Sequence, residues 1–86
     1  MTSVELEKEN LEITKAYKEL LKVSYRMLSA SDKKLIRKAF EVALDAHKNQ
    51  RRKSGEAYIF HPLAVAKIVA QEIGLDATSI AAALLH

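Results

Sequence analysis

The chain is predicted to be all-α, a bundle of about four helices, and three observations carry that expectation. Apolar residues recur at three- and four-residue steps over most of the 86 positions, only two glycines and one proline break them, and the breaks carry helix-capping residues. Apolar residues reach 49% and charged residues 29%, the balance of a folded helical protein and not of a disordered one. A chain this short is one small domain at most, with a modest core.

Residues 5 to about 28 read as the first helix. Leu6, Ile13, Ala16, Tyr17, Leu20, Leu21, Ser24 and Leu28 form its stripe, with Glu and Lys between them. Ser29-Ala30-Ser31-Asp32 interrupts the pattern; Ser31 suits an N-cap, and Asp32 suits the positive end of a helix. A second helix is expected over residues 32 to about 49, with Ile36, Ala39, Phe40, Ala43 and His47 facing inward. Residues 50–60 lack helical periodicity, and nothing reads as a strand longer than 57–60. Pro62 suits the first helical position, so a third helix is predicted over residues 62 to about 73, ended by a left-handed Gly74. Asp76 then caps a fourth, strongly apolar helix over 77–86.

Composition narrows the chemistry. With no cysteine, any metal must be held by imidazole, carboxylate or water. The net charge of +3 is mild but uneven: residues 4–12 are mostly acidic, while Lys48, Arg51, Arg52 and Lys53 form a compact basic cluster. A DNA-binding protein spreads more positive charge over one face, so the cluster points to a small polyanion and to no nucleic-acid partner. No apolar run approaches the length of a membrane span, and the start lacks the basic-then-apolar order of a signal peptide. The expected setting is the cytoplasm, with no membrane partner.

The segment RRKSGEAYIFHP, residues 51–62, holds most of the candidate functional side chains. Arg offers a planar donor fork for a phosphate or a guanine edge, Lys a point charge, and Ser54 beside Gly55 a hydroxyl that a ligand can approach closely. The plain alternative is a solvated basic loop. Tyr58 reads as a packing residue whose hydroxyl edges the site. His61 is either an N-cap-like histidine bonded to backbone or a metal ligand; His86, twenty-five residues later, is its candidate partner. At 1.5 Å per residue the third helix rises about 18 Å and the fourth returns about 15 Å, so an antiparallel hairpin brings both histidines to one end. His47, on the stripe of the second helix, reads as a buried, hydrogen-bonded histidine before it reads as a ligand.

The pattern AH-x-x-Q-x-RKSGE-x-YI-x-HP, followed by AALLH, resembles the start of the hydrolase domain of the RelA/SpoT homologue family, strongly over residues 35–86. The resemblance implies an all-α, HD-domain-like helical bundle fragment. Residues 1–30 would be a leading helix and 31–86 the motif-bearing helices of the N-terminal part of the domain. It implies a manganese ion held by two histidines and two aspartates, with His61 and His86 matching the histidines. Arg52 and Lys53 match residues that contact guanine, and Ser54 and Tyr58 match residues lining the nucleotide pocket. The implied reaction is metal-dependent hydrolysis of the 3′-pyrophosphate of (p)ppGpp to GDP or GTP and pyrophosphate, in the stringent response, within a parent that also carries a synthetase.

Departures accompany the matches. The aspartate expected beside His86, the acidic pair beyond it and the fourth ligand are not among these residues, and Ala57 stands where the family has proline. The chain alone is therefore expected to be inactive. Ile80, Ala83 and Leu84 are expected to lie open on helix 77–86 and to drive self-association. The alternatives are a non-catalytic guanine-nucleotide-binding module and a helical self-association fragment.

Overall fold

The computed structural model describes residues 1–24 and 28–86, which form α1 (Ser3–Lys22), α2 (Ala30–His47), α3 (Phe60–Ala70) and α4 (Ala77–Leu85). The all-α expectation holds. Among the described residues the extended pairing is limited to one isolated antiparallel bridge between Arg51 and Ala57.

The helix ends follow local chemistry more closely than apolar periodicity. α1 stops at Lys22, where the Val23 N–H bonds the Glu19 carbonyl, so Ser24 and Leu28 lie beyond the helix expected to contain them. Val and Ser are weak helix formers, and the stripe alone does not carry the helix past them. Residues 25–27 of that expectation lie outside the described residues. α2 begins at Ala30, capped by Ser29 and not by Ser31. Ser29 Oγ accepts the Asp32 N–H at 3.1 Å, and Asp32 Oδ2 accepts the Ser29 N–H at 3.0 Å. This reciprocal box satisfies two donors at once, which a Ser31 cap with Asp32 as its immediate neighbour would forgo.

α3 starts two residues before Pro62, placing the proline third in the helix, where its missing N–H is still no loss. It ends at Ala70, three residues short of expectation, because tight turns from Gln71 to Ile68 and from Glu72 to Val69 close it. Gly74 adopts the predicted left-handed conformation, φ 89°, in the connection that follows. Asp76 caps α4 as expected, its Oδ1 accepting the Ser79 N–H at 3.1 Å.

α4 lies between α2 and α3, and α1 packs on α3. Ile36, Phe40, Leu63, Ala66, Ile80 and Leu84 join Ile13, Tyr17 and Leu20 in one core. Tyr17 and Phe40 stack at 4.4 Å between centroids, with the Arg37 guanidinium 5.3 and 5.7 Å from the two rings. This arrangement overturns the expectation of an open face on helix 77–86. Ile80 and Leu84 are 2% and 1% exposed, and Ala83 is half-buried, because α2 and α3 cover them. The surface offered for self-association is core.

Candidate functional site

Residues 50–58 form a tight hairpin that presents the basic side chains. The Tyr58 N–H bonds the Gln50 carbonyl at 3.0 Å and the Arg52 N–H the Glu56 carbonyl at 2.9 Å. The Gly55 N–H closes a turn onto the Arg52 carbonyl at 2.8 Å, with Gly55 at φ 93°. This is the geometry of a three-residue hairpin connection, in which glycine takes the left-handed position at no steric cost. The run RKSG is basic in side chains and dictated in backbone by its last member.

The four cations of the cluster divide by partner. Lys48 pairs with Asp45 of α2 at 3.4 Å. Arg51 borders the groove but is held by α1: Nη1 and Nη2 reach Glu9 at 2.7 and 2.8 Å, and Nη1 also donates to the Gly55 carbonyl at 3.0 Å. The hydrogen bond from Arg51 holds the Glu9 carboxyl below the usual carboxylate range, and Glu9 raises Arg51 in turn. Arg52 has only a loose pairing with Glu56, at 3.9 Å, and Lys53 makes no ion pair among the described residues. Arg51, Arg52, Lys53, Ser54, Glu56 and Tyr58 line an open groove on this side of the hairpin.

A second, smaller pocket of about 170 Å³ is lined by Tyr58, His61, Pro62, Val65, Ala83 and His86. The start of α3 and the end of α4 meet there, so the hairpin geometry read from helix lengths is correct and the two histidines share one pocket. Tyr58 borders both compartments. It is half-buried and fixed on each side, its ring 4.5 Å from His47 and 5.9 Å from His61. His47 is half-buried and hydrogen-bonded through Nδ1 to Gln50 Oε1 at 2.8 Å, less enclosed than its stripe suggested. His61 is not bonded to backbone through its ring. Its Nδ1 lies 3.3 Å from Arg52 Nη1. A guanidinium only donates, so Nδ1 accepts and the ring proton resides on Nε2.

Imidazole nitrogens are common metal donors, and His61 and His86 both line this pocket. Among the described residues no three His, Cys, Asp or Glu side chains are grouped to hold a metal ion. His61 and His86 thus supply at most two of the four donors that the resemblance implies. Sequence reasoning missed the Glu9–Arg51 fork and the placement of Glu56 in the basic groove. The acidic charge of residues 4–12 against the basic loop was the available signal for the fork.

Residues 39–86 match the HD domain family, more than half of the chain. The chain belongs to the HD domain family. This HD chain is 46% identical over 67 residues to the bifunctional (p)ppGpp synthase/hydrolase RelA of Mycobacterium tuberculosis, covering 78% of the chain and 9% of that protein. It is 57% identical over 53 residues to the bifunctional (p)ppGpp synthase/hydrolase SpoT of Escherichia coli, covering 62% and 7%. A third relative is the guanosine-3′,5′-bis(diphosphate) 3′-pyrophosphohydrolase of Vibrio cholerae, 47% identical over 64 residues, covering 74% and 9%. The RelA/SpoT resemblance of this HD chain is thus borne out. The chain spans less than a tenth of the length of these relatives. Among the described residues no helix is long and apolar enough to cross a membrane.

Proposed function

We propose that the chain forms the nucleotide-facing part of an HD-type (p)ppGpp 3′-pyrophosphohydrolase, cytoplasmic and within a parent that also carries a synthetase. One observation carries this reading: a basic groove and an imidazole pocket stand back to back across Tyr58. A guanosine with 5′-phosphates and a 3′-pyrophosphate offers a hydrogen-bonding base edge and anionic oxygens to the first and a metal-binding phosphate group to the second.

In this reading Arg52 and Lys53 hold the guanine nucleotide, Ser54 donates its hydroxyl to it, and Tyr58 bounds its path toward the histidines. His61 and His86 would hold manganese together with carboxylates from outside these residues. When bound, the metal supplies Lewis-acid polarisation of the phosphate and a more acidic water. Hydrolysis joins the water oxygen to phosphorus, breaks the bond from that phosphorus to the 3′ oxygen and leaves a proton on the latter, giving GDP or GTP and free pyrophosphate.

Calorimetry on the full chain tests the binding reading. Binding of ppGpp is expected to fall at least 10-fold in Arg52→Ala, and His61→Ala is expected to remove any gain from added Mn²⁺ while sparing metal-free binding. A wild-type chain with no affinity for ppGpp refutes the reading. With two imidazoles and, among the described residues, no third donor grouped with them, these residues alone are expected to release no pyrophosphate; Mn²⁺-dependent release by them would overturn that part. A second reading, nucleotide binding without metal, is favoured by the Arg52–His61 hydrogen bond, which occupies the Nδ1 lone pair. It predicts ppGpp binding indifferent to EDTA.

A further inference from the structure

We propose that the front half of α1 is a positioning element for the basic hairpin, with Glu9 acting on the ligand groove through Arg51 and the Gly55 carbonyl. The inference deepens the nucleotide-binding reading and rests on it for the ligand alone.

The buried residues of α1, Ile13, Tyr17 and Leu20, all lie toward its C-terminal end. Its first three turns leave Val4, Leu6 and Leu11 exposed, so apolar packing does not explain why this stretch lies where it does. The contact that does is polar. Glu9, with a side chain only 16% exposed, receives both ends of the Arg51 fork. Exposed single ion pairs contribute little, but a bidentate carboxylate–guanidinium pair is the geometry in which the contribution is real.

Beyond Glu9, Arg51 donates from Nη2 to Met1 Sδ at 3.4 Å, a weak acceptor, and from Nη1 to the hairpin itself. The nitrogen that donates to Glu9 Oε2 also donates to the carbonyl of Gly55, the residue whose left-handed backbone closes the turn. Removing Glu9 frees the guanidinium to swing to solvent, and the Gly55 carbonyl loses its partner. Arg52, Lys53 and Ser54 lie within the turn so fixed, between Arg51 and Gly55. Their presentation to a ligand therefore depends on a residue of α1 forty-two positions upstream of Arg51. Arg51 itself serves as a tether, so it is Arg52 and Lys53 that remain for the ligand's charge.

The test compares wild type with Glu9→Ala and Glu9→Gln in the full chain. Alanine is the better helix former, so Glu9→Ala does not act by weakening α1. Amide hydrogen exchange at Arg52, Gly55 and Tyr58 is expected to quicken at least 5-fold in Glu9→Ala, with exchange in α3 and α4 unchanged. The affinity for ppGpp is expected to drop about 5-fold, and Glu9→Gln, which keeps one acceptor oxygen for Arg51, should recover part of both effects. Hairpin exchange within 2-fold of wild type overturns the proposal, whatever the ligand result. A loosened hairpin with undiminished ppGpp affinity, in a protein where Arg52→Ala does lose affinity, overturns the positioning role. A wild-type chain that binds no ppGpp removes the functional reading instead, and the exchange comparison still decides the coupling of α1 to the hairpin.

Discussion

Arg52 and His61 share one hydrogen bond, and it decides what each side chain is free to do. While the guanidinium donates to Nδ1, that lone pair is unavailable to a metal ion, and Nε2 carries a proton in place of a lone pair. Metal binding at His61 therefore requires Arg52 to let go, whether the metal takes Nδ1 directly or takes Nε2 after the ring proton moves to Nδ1. Nitrogen-15 spectra of the neutral ring are expected to report the Nε2–H tautomer in wild type and a shifted tautomer balance in Arg52→Ala. The Glu9–Arg51 pair makes a second prediction at this scale. Glu9 titrates below its ordinary value of 4.5 because of the Arg51 hydrogen bond. Its contribution to stability is therefore present above about pH 4.5 and is lost as the pH falls through the lower folded value. A carbon-13 titration should find the Glu9 midpoint below 4.5 in wild type and returned toward it in Arg51→Ala. The candidate residues and their grouping were legible because RKSGE and HP are local patterns. The tether was not, because Glu9 and Arg51 are joined by a contact across forty-two positions that no periodicity encodes.

At the scale of elements, the caps show where reading the sequence works and where it needs geometry. Asp76 caps α4 as expected, and Gly74 is left-handed as expected but does not stop α3, which closes at Ala70. Ser29 and Ser31 are chemically equivalent candidates, and the choice between them is made by the Asp32 carboxylate reaching back over three positions. Ser29→Ala is expected to cost about 1 kcal/mol in urea unfolding, with Ser31→Ala much nearer to neutral. The ends of α1 and α3 differ from their apolar stripes because the final turns answer to propensity and to tight carbonyl bonds, not to burial. Ala57 offers a complementary test. The two bonds that make the hairpin bridge are given by the N–H groups of Arg52 and Tyr58, not by that of Ala57. Ala57→Pro is expected to leave the bridge intact and to raise stability by about 0.4–1 kcal/mol through the unfolded chain. A fall in the thermal midpoint would count against that reading.

For the whole molecule, the position of α4 matters most. Its apolar face was legible, but the sequence did not say what would cover it; the packing of α2 and α3 on either side supplies the answer. Leu84→Ala is accordingly expected to act as a core truncation, costing about 3–5 kcal/mol in urea unfolding. Sedimentation of any folded fraction should match wild type, whereas a change in association state without loss of stability would restore the open-face reading.

Tyr58 walls the basic groove on one side and the imidazole pocket on the other. Two compartments with a common wall become thermodynamically linked when an occupant of one moves that wall. If an occupant of the groove tilts that ring and so changes affinity in the pocket by some factor, an occupant of the pocket changes affinity in the groove by the same factor. Such communication needs no helix to move, only one phenol held between two histidines.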